Sequence, residues 1–436
     1  MDAAWLLVAY ILVLMLIPAN LTISALGAIG TPALVLGLGA LALWAGGQAN
    51  RSRATLSPAQ PIRRAMLYFT IAVLASYVAA TVRPIDGIEL NAADRGLLLI
   101  ASWVGIVLLA SDGLTSIPAL ETPLRALATV GGIVALIGLI QFFTGRPIVD
   151  VIQIPGLTPN TQLTSIYQRE GFTRAAGTST HPIEFGVALS MILPLAIHFA
   201  FTDVHRHAFV RWLPVGAIAF AIPITISRSA LVGVVVALVI LLPTWPARRR
   251  RLSYLAILAI LVVVYVAIPG MLGTLTRLFT GIATDGSARS RTNSYALALE
   301  FIQRSPLLGR GLSTFLPQYR ILDNQYLGLL IELGVVGTLA LLAVFAVAIV
   351  SGFHSRRRSS DPTTASLAQS LAAMVAAGAF SFATFDAFGF PQASSLVFLG
   401  VGFLGALSNV LKQRAGPAAF DRAIATSRRP EVGSPR

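Results

Sequence analysis

The chain has 436 residues, of which 56% are hydrophobic and 11% charged, with a net charge of +14 and no cysteine. A soluble domain carries about 25% charged residues, so a water-soluble globule is excluded. The missing cysteine excludes disulfides, iron–sulfur clusters and thiolate metal sites. The positive charge is arginine almost throughout, Lys412 being the only lysine.

The apolar residues fall in separate runs of roughly 15–25, the length that crosses ~30 Å of hydrocarbon. Helices satisfy their own backbone hydrogen bonds in lipid, and the runs lack the strict alternation of a barrel strand. The expected fold is therefore all-α, a polytopic integral membrane protein of about twelve transmembrane helices. In chain order the spans are 3–19, 29–46, 65–81, 96–111, 124–143, 183–201, 212–226, 229–243, 252–270, 325–350, 364–383 and 388–410. No positive residue precedes the first run, which reads as a retained span rather than a cleaved signal. Residues 1–411 form the membrane domain. The tail 412–436, rich in Arg, Ala, Ser and Pro, is expected to be disordered and cytoplasmic.

Arginine clusters orient the spans. Arg51, Arg53, Arg63 and Arg64, then Arg206 and Arg211, then Arg248 to Arg251, then Arg356 to Arg358, and finally the tail all fall on one side if both termini are cytoplasmic. Two long segments, 144–182 and 271–324, are then outer loops, and loops of that length usually carry function. The second contains a helical pattern over 292–303, ended by Pro306.

Several ionisable residues mark the outer boundary. Arg228, in Thr225-Ile-Ser-Arg228, sits between two apolar runs with almost no loop. It either snorkels to lipid phosphate or lines a cavity that receives an anion, for which its planar fork suits phosphate. Arg174 precedes His181-Pro182, where the next span opens; His181 reads as a boundary residue, a ligand or a base. Asp323 and Asn324 stand where the large loop re-enters the membrane, as helix caps or, for Asp323, as a general base. Glu332 lies ~13 Å further along the same expected helix and marks either a polar pocket or a partnered structural charge. Gly334 and Gly337 read as helix-packing residues. No P-loop, no metal-ligand cluster and no cofactor motif is present, and the basic balance is explained by topology and lipid rather than nucleic acid.

These segments, in this order, resemble the O-antigen ligase and O-antigen polymerase superfamily of bacterial membrane glycosyltransferases. Arg174-Ala-Ala-Gly-Thr through His181-Pro-Ile-Glu-Phe-Gly186 looks like that family's Arg-x-x-Gly-Thr…His/Asn-Pro-Asn-x-Phe-Gly segment. Ser227-Arg-Ser-Ala230 looks like its Ser-Arg-Gly/Ser-Ala turn, and Arg291…Pro306-Leu-Leu-Gly309-Arg-Gly311 like its loop motif. Asp323-Asn324, nine residues, then Gly334-Val-Val-Gly337 is similar to its His-Asn-x9-Gly-x-x-Gly. The resemblance covers about 165–345 and departs at Asp323, where ligases carry His. It implies a GT-C-like membrane glycosyltransferase in the bacterial inner membrane. The implied donor is a polyprenyl-pyrophosphate-linked saccharide and the implied acceptor a glycan, without metal or cofactor; other polysaccharide-assembly proteins are a further partner class. Catalytic roles fall to Asp323 and Arg228, and substrate binding to Arg174, Arg291, His181, Asn324 and Glu332. The rival reading is a transporter or flippase of lipid-linked oligosaccharide; a third is an inactive assembly scaffold.

Overall fold

The computed structural model describes residues 2–27, 30–49, 60–160, 166–169, 171–280 and 286–427, with side chains omitted at 286–293 and 415–427. Helices account for 76% of it. In chain order they are α1 (Ala3–Leu16), α2 (Pro32–Ala49), α3 (Pro61–Val82), α4 (Gly87–Gly113), α5 (Ile117–Thr144), α6 (Pro182–Thr202), α7 (Ala208–Ile224), α8 (Arg228–Leu241), α9 (Ala247–Ala267), α10 (Met271–Thr280), α11 (Gly286–Arg304), α12 (Gln325–Glu332), α13 (Gly334–Arg358), α14 (Pro362–Ser381) and α15 (Pro391–Ser427). Nine helices are long and apolar enough to cross a membrane, and three shorter apolar ones near α1, α7 and α8 bring the described set to the expected twelve. The all-α polytopic architecture holds.

Local chemistry sets many of the helix starts. α2, α3, α6, α14 and α15 each begin at a proline, whose fixed φ suits a first turn and whose missing N–H is no loss there. Packing then sorts the helices. The apolar windows of α6, α14 and α15 are each 83% buried and form the centre, while that of α9 is only 6% buried and faces outward along nearly its whole length. Trp103 of α4 closes the middle, stacked on Phe398 of α15 at 4.7 Å and donating its indole N–H to Ser395 at 3.1 Å.

Hydrogen bonds show that successive turns alternate between two ends. At one end, β1 (Leu21–Ile23), just after α1, pairs antiparallel with β2 (Leu157–Pro159) from the long segment after α5. At the same end Arg83, after α3, donates to the Arg310 carbonyl, and the Gln325 N–H donates to the Phe385 carbonyl at 3.0 Å. At the opposite end Arg63 pairs with Asp112 at 3.6 Å, and Arg125 pairs with Asp203 and Glu121.

Two expectations need correction. The single span expected over 325–350 is two helices, α12 and α13, broken at Leu333 with Gly334 at φ +64°. The segment 306–311 of the large loop bridges the break. Arg310 and Gly311 N–H donate to the carbonyls of Ile331 and Glu332, and Val335 and Val336 N–H donate to those of Pro306 and Leu307. The loop thus satisfies the last carbonyls of one helix and the first amides of the next, groups a helix end leaves orphaned. Gly334 consequently serves loop-to-backbone contact rather than helix packing: a Cβ there would overlap the Leu307 carbonyl. The last helix, α15, is described as far as Ser427.

The large loop also carries the expected helix, which runs longer as α11, and is moored a second time. Arg83 and Arg310 both pair with the buried carboxylate of Glu89, which also accepts from the Tyr319 hydroxyl at 2.7 Å. The Arg310 guanidinium lies over the rings of Phe301 and Tyr319. These two arginines are anchors rather than solvated surface.

Candidate functional site

Between α5 and α6 the chain forms a hairpin of β3 (Ile166–Arg169) and β4 (Phe172–Ala175), in which Tyr167 faces Arg174. The alternation places Arg174 on the buried side, 6% exposed. Its Nε donates to the Thr225 carbonyl at 2.6 Å, capping the C-terminus of α7. Its Nη2 is buried and has no partner among the described residues. Burial, reinforced by the charge of Arg169, lowers its pKa to about 10, so it stays cationic at neutral pH. Arg169 reaches the next carbonyl of the same turn, Ile226, at 3.4 Å.

That turn is strained. Ile226 is β-branched, fully buried and held at φ +47°, a conformation such a residue adopts only when its surroundings impose it. The strain lets one short turn present two carbonyls to the hairpin's arginines and then start α8 at once. Ser227 caps α8, its hydroxyl accepting from the Ala230 N–H, and Arg228 is the first helical residue. Arg174, Arg169, Arg228 and the positive end of α8 therefore converge on one turn.

His181 stands beside them. Its Nδ1 accepts from the Ile183 N–H at 3.1 Å as the N-cap of α6, which leaves the proton on Nε2. Burial, with the charges of Arg174 and Arg169, lowers its pKa to about 4. A neutral imidazole results, and the ring caps α6. His181→Asn preserves a cap, whereas His181→Ala removes it at about 1 kcal/mol. The expected result is a lower thermal midpoint in detergent for the alanine variant only.

Asp323 and Asn324 precede α12. The Asn324 side chain accepts from the Tyr326 and Leu327 N–H groups and is a helix cap. The carboxyl of Asp386 is pushed up to about 6 by burial, with the negative charge of Asp323 adding to the rise. Glu332 accepts from the Phe315 N–H at 3.2 Å and holds the large loop. The side chain of Arg291 lies outside the described residues.

The segment Thr384–Gln392 joins these pieces, and the sequence reading missed it. Thr384 donates to the Ser229 hydroxyl at 2.8 Å, next to Arg228. Asp386 feels the negative charge of Asp323. The Phe388 N–H donates to the Gln325 side chain at 2.7 Å. The Phe390 ring lies 6.1 Å from that of His181, and the Gln392 N–H donates to the buried carboxylate of Glu184 at 2.6 Å. Its signal in the sequence is Phe385-Asp-Ala-Phe-Gly-Phe390, a lone acid among aromatics between two apolar runs. Among the described residues no three His, Asp or Glu side chains group as metal ligands.

Residues 213–342 match the protein-family model described as O-antigen ligase. The matched stretch runs from α7 into α13 and contains Thr225–Arg228, the large loop, Asp323 and Glu332; the hairpin and Thr384–Gln392 lie outside it. No curated protein matches the chain.

Proposed function

From this match to the O-antigen ligase family, which supports a place in the ligase and polymerase superfamily and a surface-polysaccharide role, we propose a specific reaction. The protein transfers a saccharide from a polyprenyl-pyrophosphate carrier to a hydroxyl of a glycan acceptor, at the outer face of the bacterial inner membrane. The observation that carries this reading is the buried, cationic Arg174 with its free Nη2 beside the start of α8. In the proposed reaction the acceptor oxygen attacks the anomeric carbon, and the bond from that carbon to the pyrophosphate oxygen breaks. Its electron pair leaves with the pyrophosphate, where Arg174, Arg228 and the α8 terminus stabilise the added charge. The acceptor proton passes to Asp323. A single displacement inverts the anomeric centre, and no step is assigned to a metal ion.

Incubating the purified protein with lipid-linked oligosaccharide and sizing the products tests the reaction. A ladder identifies a polymerase and a single shifted acceptor a ligase. Absence of transfer, with movement of the oligosaccharide across the bilayer instead, would establish the transporter reading.

The carboxylate pair gives a pH prediction. Below about pH 6 Asp386 is protonated and neutral; above it Asp386 carries a negative charge that favours departure of the acceptor proton. Transfer should rise as pH passes upward through about 6. Asp386→Asn should remove that step from the rate profile, and Asp323→Asn should abolish transfer at every pH. An active Asp323→Asn variant rules out the base.

Orientation has a direct test, because the chain has no cysteine of its own. Val151→Cys, in the exposed loop of the hairpin end, should react with an impermeant thiol reagent in intact cells. His205→Cys, at the opposite end, should react only after permeabilisation. The reverse pattern would contradict an outer-face site.

A further inference from the structure

The end of the bundle opposite the hairpin holds a cleft of about 570 Å³ between the end of α6, the α8–α9 turn and the start of α14. Its volume lies in the range of small-molecule sites, roughly 300–1,000 Å³. Two guanidinium groups line it. Arg249, at the start of α9, lies over the Phe201 ring with its central carbon 3.8 Å from the centroid. Arg356 comes from the last turn of α13. None of the lining residues is acidic, and among the described residues neither arginine has a carboxylate partner. The nearby acids are committed elsewhere: Asp361 accepts from Thr363 and Thr364, and Asp203 pairs with Arg125. Elsewhere at this end Arg63 and Arg125 have carboxylate partners in Asp112 and Asp203.

A second observation points to a ligand. Gln369 of α14 lines the cleft and is 4% exposed. Its amide nitrogen donates to the Ile240 carbonyl at 2.7 Å, which fixes the orientation of the amide, and its Oε1 is left without a donor. A buried acceptor left unpaired costs about 1–3 kcal/mol. Thr363 and Ser366 also line the cleft. The cleft thus offers two cations for an anion and one acceptor for a hydrogen-bond donor.

We infer that this cleft binds a phosphate ester whose substituent carries a hydrogen-bond donor, with the phosphate on Arg249 and Arg356 and the donor on Gln369. Two sources present that chemistry here: an anionic lipid headgroup such as a phosphoglycerol, entering from the leaflet, or a soluble glycerol phosphate. Arginine suits the role because its fork gives paired hydrogen bonds to phosphate, and the face of Phe201 holds the Arg249 fork in place. The site is remote from the hairpin and stands whether or not the transfer reaction does.

The test uses the full-length protein purified in neutral detergent, with thermal unfolding followed after adding dioleoyl phosphatidylglycerol, dioleoyl phosphatidylcholine or free glycerol 1-phosphate. Phosphatidylglycerol should raise the midpoint about 5 °C more than phosphatidylcholine. The double variant Arg249→Gln/Arg356→Gln should lose at least half of that difference, while Arg358→Gln keeps it. Glycerol 1-phosphate reproducing both the shift and its loss assigns the site to a soluble ester; no shift from it assigns the lipid. Equal shifts from the two lipids together with none from glycerol 1-phosphate, or an undiminished shift in the double variant, overturn the inference. Should the glutamine pair prove unstable without ligand, Arg249→Lys/Arg356→Lys keeps the charges. A diminished phosphatidylglycerol shift with a normal starting midpoint then supports the site, and an undiminished one overturns the role of the arginine forks.

Discussion

Arg174→Ala should lower saccharide transfer about 100- to 1,000-fold, the range seen when a donor to developing negative charge is removed, with the protein still present in the membrane at its normal level. Two roles meet in this side chain and must be separated. Its Nε caps the Thr225 carbonyl, while its Nη2 is buried with no partner among the described residues. Arg174→Lys keeps a cation but loses the fork, and should recover only a small part of the rate. Arg228→Ala provides the cleaner comparison. Arg228 opens α8 without capping it, because the Ser227 hydroxyl does that, and its removal should depress transfer by a similar factor. Full transfer in both alanine variants would sink the pyrophosphate clamp.

Gly309→Ala should be the most damaging single substitution in the large loop. Gly309 has φ +68°, and a Cβ there would overlap the backbone of Glu332 and Gly334. Left-handed strain costs of order 1–3 kcal/mol and forced overpacking a similar amount, so a total of about 2–5 kcal/mol is expected. No flexible side chain stands in the way to move aside; the obstacle is main chain that is itself hydrogen-bonded across the α12–α13 break. The readout is a fall in membrane expression and thermal midpoint with loss of transfer. Gly216→Ala, in α7 with open space around its Cβ position, should change neither. Equal behaviour of the two variants would remove the bridging role of 306–311.

The membrane architecture was legible because hydrophobic runs and arginine clusters report it directly, and the alternation of ends agrees with the spans read from them. Helix ends were less legible. α4 starts at Gly87, nine residues before its expected span at 96, because Glu89 and Asp94 find partners in Arg83 and Tyr77 above the apolar run. An apolar window marks a run's lipid depth, not where its helix stops. The break at Leu333 escaped for a related reason: the residues around it are as apolar as a span, and only the distant loop 306–311 makes the break affordable. At the site, Arg174, His181 and Arg228 could be read because charge is rare at such boundaries. Asp386 could not, since its importance comes from its interaction with the charge of Asp323, and proximity between residues 63 apart in number is invisible in a pattern of residues.

The contacts that assemble the site differ sharply in how far apart their partners lie along the chain. The bridge over the helix break joins Arg310 to Ile331, within one stretch of loop and helix. The joints around Thr384–Gln392 span much more: Ser229 to Thr384 is 155 residues and Glu184 to Gln392 is 208. A ribosome delivers a chain N-terminus first. The hairpin, the strained turn and α8 are thus all made well before the segment that ties them to Asp323 exists. The arginines enter the bilayer early and wait, and the surface that joins them to the carboxylates closes only as the final span goes in.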